Sequence, residues 1–139
     1  MKVKLTLGEI LNLDIELSGY VNPENGEQIL SGLLSQKLSL ITKFKLTELR
    51  DLIAPLKKNV EDLKNDMIKS KGEEKDGTVS IPMMIDEVVN PVFIEFQEEY
   101  TKLLSEEKEL EISELKIEDF DIVTNESYNT FFKIIKAQQ

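Results

Sequence analysis

The stretch LTELRDLIAPLKKNVEDLKNDM, residues 46–67, places Leu46, Leu49, Ile53, Leu56, Val60, Leu63 and Met67 at alternating spacings of three and four. An apolar residue about every 3.5 positions keeps one narrow stripe of a helix against a neighbouring helix along its whole length, so these seven residues read as a coiled-coil seam. Beside the seam, Lys43, Arg50, Lys57, Lys64 and Lys71 recur every seven residues and fall on one flank. Such a flank usually sets partner choice. The chain is therefore expected to be built around one long helix that docks on another.

Working outward, no strong stop interrupts the pattern between Gly32 and Lys71, and Leu33, Leu34, Leu38, Ile41 and Phe44 precede the seam. This predicts a helix over 32–72, about 55–60 Å long at 1.5 Å per residue. Pro55 lies off the stripe and removes the bond to the carbonyl of Asp51, which predicts a kink, with a break and a second helix opening at Pro55 as the alternative. Gly72 marks the end, with Lys69 and Lys71 near the negative pole of the helix dipole.

The expected partner begins at Asn90-Pro91, a capping side chain followed by proline in the first helical position. It carries Phe93, Phe96, Tyr100 and Leu103 at spacings of three, four and three. Glu95, Glu98, Glu99 and Glu106 are expected to face the basic flank in an antiparallel hairpin, the apolar seam supplying stability and the charges alignment.

Before the long helix, Val3-Lys4-Leu5 reads as extended and Thr6-Leu7-Gly8-Glu9 has capping-box spacing, predicting a helix to about Ser18 that Gly19 ends. Tyr20-Val21 and Gln28-Ile29-Leu30 flank Asn22-Pro23-Glu24-Asn25-Gly26 as a small hairpin. After it, Glu73 to Gly77 reads as a polar loop without the ligand pattern of a calcium-binding loop. Thr78 to Ile81 predicts one strand, beside Val3–Leu5 or beside a later strand at Glu109–Ile112. Met83 to Val89 is an apolar connection whose two methionines point to packing on something. Asp119, Phe120 and Asp121 suit a turn or short helical piece, and Asn125 suits the cap of a last helix with a face of Tyr128, Phe131, Phe132 and Ile135.

The 139 residues, 40% hydrophobic and 32% charged, fit one mainly α domain over 1–139 with a few short β-strands. Its parts are an N-terminal helix and turn (1–31), the long kinked helix (32–72) packed antiparallel with the shorter one, and an acidic half with two helices (73–139). Cysteine, histidine and tryptophan are absent. Disulfides, thiolate nucleophiles, Cys/His zinc sites and imidazole acid-base chemistry are thereby excluded. No catalytic, cofactor-binding or metal residue is assigned. The expectation is a protein without a cofactor that is not an enzyme.

Net charge is −10 and unevenly spread: residues 1–72 hold eleven Lys and Arg against ten Asp and Glu, and residues 73–139 hold six against seventeen. Either the two halves are electrostatic partners or the second is a solvated acidic surface. Direct nucleic-acid binding is disfavoured, because phosphate contact needs a clustered positive face. No apolar run approaches the roughly 20 residues that span a bilayer and no signal-peptide pattern opens the chain, so a soluble protein without a membrane partner is expected.

The order of Leu5-Thr6-Leu7-Gly8-Glu9-Ile10-Leu11-Asn12, Gly32-Leu33-Leu34, the Gly72 to Gly77 turn and Leu115-Lys116-Ile117-Glu118-Asp119-Phe120 resembles a family of short tailed-bacteriophage proteins of unassigned function. The resemblance implies a phage origin and transfers no site. It leaves two expectations of function. One is an accessory structural component of the virion, at the capsid, portal vertex or tail, whose partners are other phage structural subunits. The other is an effector in the host cytoplasm that binds a host protein through Glu98, Glu99, Glu106, Glu107, Glu109 and Glu111, a nucleic-acid-like array whose plainer reading is an exposed helix end. Partner-binding candidates are Lys43, Arg50, Lys57, Lys64, Glu98, Glu99, Glu106 and Glu107. A carboxylate Mg²⁺ enzyme using Asp119 and Asp121 has only composition behind it. Whether the seam is satisfied within one copy, in a homo-oligomer or by a different protein is left open.

Overall fold

In the computed structural model, residues 2–116 and 128–137 are described. Helix α1 (Leu7–Ser18) starts where Thr6 Oγ1 accepts the Glu9 N–H at 3.1 Å and Glu9 Oε1 accepts the Thr6 N–H at 3.0 Å. That reciprocal pair satisfies two amides the first turn would otherwise leave open. Gly19, at φ 87°, ends the helix and donates its N–H to the Ile15 carbonyl. The face Leu7, Ile10, Leu13 and Leu17 is buried and forms the centre of the core.

Strand β1 (Lys2–Thr6) precedes α1 and pairs antiparallel with β8 (Glu107–Glu111), Val3 opposite Leu110. Val3, Leu5 and Leu110 face the core, while outside Lys2 meets Glu109 at 3.5 Å and Lys4 meets Glu107 at 3.7 Å. The later strand thus starts before Glu109, because the five residues of β1 set the length it pairs with.

β2 (Tyr20–Val21) and β3 (Gln28–Leu30) form a hairpin whose loop is held by Asn22 Oδ1 accepting from Glu24 N–H and Asn25 Oδ1 from Glu27 N–H. Beyond it the chain departs from the expected helix over 32–72. Leu33–Ser35 make a single 3-10 turn, Gln36 is extended, and α2 runs over Leu40–Lys71. Its 32 residues span about 48 Å. Two causes shift the start. Ser39 Oγ accepts the Thr42 N–H and caps the helix there. Gly32 is pressed on the end of α1, where an added Cβ would lie 2.5 Å from the Leu17 carbonyl oxygen, so the backbone is fixed extended and the chain turns before α2. Leu33 drops into the core at that turn. The helix passes through the exposed Pro55 without interruption.

Leu46, Leu49, Ile53 and Val60 are buried, Leu56 and Met67 are half-buried, and Leu63 is 52% exposed. Leu63 is therefore a correction to the seam. Past Val60 the inward face is made by the half-buried Lys64, which lies on Tyr100, and by Met67 and Lys71, and Leu63 lies beside that face. The neighbours differ as well. The main neighbour of α2 is α1, not the helix α3 (Pro91–Leu104), which packs on its C-terminal part and touches α1 at its other end, where Gly8 meets Leu104. Phe96 is buried in that contact and Phe93, Tyr100 and Leu103 are half-buried.

Between α2 and α3 lie two hairpins. β4 (Glu73–Lys75) pairs with β5 (Thr78–Ser80) through Asp76 and Gly77, both at positive φ. Glu73 to Gly77 is accordingly a strand and turn rather than a plain loop. Its partner is the adjacent strand, since two residues of positive φ make the tight turn that matches strand twist. β6 (Met84–Ile85) pairs with β7 (Val88–Val89) around Asp86 and Glu87, at φ 49° and 64°. Asn90 then caps α3, accepting the Val92 N–H and donating its amide to the Pro82 carbonyl.

Helix α4 (Asn129–Ala137) crosses α1, with Tyr128, Phe131, Ile134 and Ile135 buried and Phe132 half-buried. Ile134 thus shares the inward face with Phe131, one position round from the expected Phe132. The expected turn at Asp119–Asp121 and the Asn125 cap lie outside the described residues.

Candidate interaction surface

The basic flank of α2 does not face one partner. Lys57 Nζ lies 2.8 Å from Asp14 Oδ2 on α1 and 3.9 Å from Glu61. The Asp14 carboxylate, largely buried, raises the Lys57 ammonium above its usual range. One heptad on, Lys64 Nζ sits 5.4 Å from the ring centroid of Tyr100 on α3, within cation–π range. Tyr100 is itself stacked on Phe96. Lys71 bonds Glu95 at 2.8 Å and lies 3.5 Å from Glu99. Because Lys64 meets Tyr100 while Lys71 meets Glu95, numbering rises along α2 as it falls along α3, which is an antiparallel contact. Arg50 reaches only its neighbour Asp51, and Lys43 has no ion-pair partner among the described residues.

The acidic candidates are likewise divided. Glu99 points to α2, Glu98 to the outer groove of α3 with Ile94, Gln97, Thr101 and Lys102. Glu106 uses its backbone carbonyl to receive the Leu7 N–H. Glu107 and Glu109 form diagonal cross-strand ion pairs with Lys4 and Lys2. Cross-strand lysines thus interleave with the carboxylates of β8.

One charged group escaped the sequence reading. Glu16 is 1% exposed, on the inward side of α1 between Leu13 and Leu17. Its Oε1 accepts the Phe131 N–H at 3.0 Å, and its Oε2 accepts the Thr130 N–H at 3.3 Å and the Asn12 amide at 2.7 Å. Asn12 also donates to Thr130 Oγ1. Burial pushes the Glu16 carboxyl up, and the N–H groups at the start of α4 partly oppose this. The arrangement holds α4 on α1. The available signal was a carboxylate inside the apolar arc of an amphipathic helix, a position seldom left unpaired.

Two exposed apolar surfaces lie at opposite ends of α2. At its start, Leu40 is 86% exposed, with Ile41 and Phe44 beside it. Beyond its other end, Met83, Met84, Ile85, Val88 and Val89 are all exposed on the β6–β7 hairpin. The methionines expected to pack face outward here, because a two-residue arm pair offers no second layer to cover them.

Between α2 and the segment after β8 is a cleft of 170 Å³, lined by Lys45, Glu48, Leu49, Leu52, Ile112 and Leu115. Lys45 Nζ donates to the Glu114 carbonyl within it. Its volume is below the roughly 300 Å³ at which small-molecule sites begin. Among the described residues no group of three or more carboxylates is placed to hold a metal ion, and no helix is long and apolar enough to cross a membrane. Comparison with protein families, with characterised proteins and with solved structures finds no match to this chain.

Proposed function

We propose that this protein is a non-enzymatic accessory structural component of a tailed-bacteriophage particle, at the capsid, portal vertex or tail, acting through contacts with other protein subunits. The phage assignment stands on the sequence resemblance of residues 5–12, 32–34, 72–77 and 115–120. The observation that carries the binding role is the pair of exposed apolar surfaces, Leu40-Ile41-Phe44 and the Met83–Val89 hairpin, joined by a stiff 32-residue helix. A rod with apolar ends is suited to bridging subunits. The effector reading draws less support, since Lys2 and Lys4 neutralise part of the acidic array it requires.

The test is mass spectrometry of purified particles alongside infected-cell lysate. The chain is expected in particles at a fixed ratio to known structural subunits. Abundance in lysate with absence from particles overturns the proposal.

A further inference from the structure

The β6–β7 hairpin forms a two-stranded sheet of its own. The Asn90 N–H donates to the Met83 carbonyl at 2.9 Å, and the tip at Asp86 and Glu87 closes Ile85 on Val88. Bonded and non-bonded pairs alternate along antiparallel strands, so the pair between them, Met84 and Val89, turns its N–H and C=O groups away from the hairpin. These groups have no hydrogen-bond partner among the described residues. Each edge therefore offers one donor and one acceptor, beside the exposed side chains of Met83, Met84, Ile85, Val88 and Val89. A free apolar edge is a template for another strand.

The charges around the hairpin narrow the choice of strand. Asp86 and Glu87 are exposed and without an ion-pair partner among the described residues, in a turn whose two positive φ values favour asparagine and glycine. Residues 73–98 hold seven carboxylates against one lysine, and Lys71 at the end of α2 is already taken by Glu95 and Glu99. The chain has no segment of its own to supply the missing cation. Residues 117–127 contain no lysine or arginine, and their described flanks lie toward the other end of α2, where Lys45 binds the Glu114 carbonyl and the Tyr128 hydroxyl donates to the Ser31 carbonyl. A stretch of that length tied at both ends extends about 20 Å, whereas about 40 Å of helix separates Lys45 from Lys71. A second copy adding edge to edge, Met84 on Met84, would set Asp86 opposite Pro82 and bring together two chains of net charge −10.

We propose that the β6–β7 hairpin takes a third strand from a different protein, a short apolar segment ending in lysine or arginine. The main chain of that segment bonds the outward N–H and C=O of Met84 or of Val89, its apolar side chains lie against those of the hairpin, and its cation meets Asp86 and Glu87. This rests on the reading of the protein as one that works through protein contacts and names the chemistry of the partner.

The test is an amide-resolved NMR titration of the full chain with two capped peptides, one with valine, isoleucine and valine between two lysines and one with the same core between two glutamates. The lysine peptide is expected to give saturable shifts concentrated on residues 83–89, to slow exchange of the Met84 or Val89 N–H, and to bind several-fold more tightly than the glutamate peptide. The double variant Asp86→Asn, Glu87→Gly keeps a favoured turn without charge, so it is expected to retain the Asn90 to Met83 bond and to lose the preference for lysine. Met84→Pro and Val89→Pro each remove one outward donor and none of the hairpin's own bonds, and one of the two is expected to abolish binding. Shifts away from residues 83–89, equal response to the two peptides, or binding that survives both proline variants overturns the proposal. So does protection of the Met84 or Val89 N–H by dimerisation of the chain without peptide, which assigns the edge to a second copy. Failure of the lysine peptide to bind leaves particle membership standing, and absence from particles leaves the strand addition standing, so the two failures are distinct.

Discussion

Glu16 Oε1 on α1 lies 3.0 Å from the backbone nitrogen of Phe131 on α4, a contact between residues 115 positions apart. With the bonds from Thr130 and Asn12, it makes a buried carboxylate the cap of the last helix. An uncompensated charge at this depth is costly, so burial is tolerable only because three donors converge on it.

Glu16→Ala is therefore expected to remove the carboxylate that accepts from the Phe131 and Thr130 N–H groups and to cost about 3 kcal/mol in urea unfolding. Glu16→Gln, which keeps shape but turns an amide donor toward Asn12, is expected to cost less. Loss of α4 protection in hydrogen exchange, with α2 retained, is the accompanying signature.

Glu16 and Glu9 are expected to give opposite pH dependence. Burial raises the Glu16 carboxyl above its unfolded value, so its contribution is fully present below the ordinary value of 4.5 and is lost as pH rises through the folded value. For Glu9, burial acts to raise the value but is outweighed by the Lys133 bond and the capping-box bonds, and the net shift is downward. Its contribution is present above 4.5 and is lost as pH falls through the folded value. In unfolding titrations the advantage of native protein over Glu16→Gln is expected to shrink from acid to neutral pH. Over Glu9→Gln it is expected to grow.

The seam is separable residue by residue. Ile53→Ala removes a fully buried side chain and is expected to cost 2–5 kcal/mol, roughly the range for large-to-small core changes. Leu63→Ala, at a half-exposed site, is expected to change stability by no more than about 0.5 kcal/mol. Equal losses at the two positions, read from urea midpoints at unchanged slope, would contradict the difference in burial between them.

The Lys57–Asp14 pair is expected to contribute about 0.5–1 kcal/mol in a double-mutant cycle with Lys57→Met and Asp14→Asn, since Lys57 is more than a third exposed and water screens the charge. The Lys2–Glu109 pair is expected to add less, and both energies should fall in high salt.

Gly32→Ala is expected to be among the most damaging single changes, because its methyl would sit 2.5 Å from the backbone of Leu17 and Ser18. Thermal unfolding should show a drop of several degrees, while Gly26→Ala, in open space though at positive φ, should show a smaller one.

Signals that act within a few residues were legible in the sequence. The Thr6–Glu9 box, Gly19, the Asn22–Gly26 loop, Asn90-Pro91 and the end of α2 at Gly72 all lie where local chemistry dictates, because a cap or turn is satisfied by neighbours along the chain. Tertiary contact decided the rest. Leu33 left the expected helix because Gly32 packs on α1, Leu63 fell outside the core because α3 meets α2 through Lys64 and Lys71 on the neighbouring face, and Glu16 found donors only once α4 was folded against α1. Periodicity records which residues share a face; the identity of what lies against that face is set by chain segments far away in sequence, and no local pattern encodes their distance or angle.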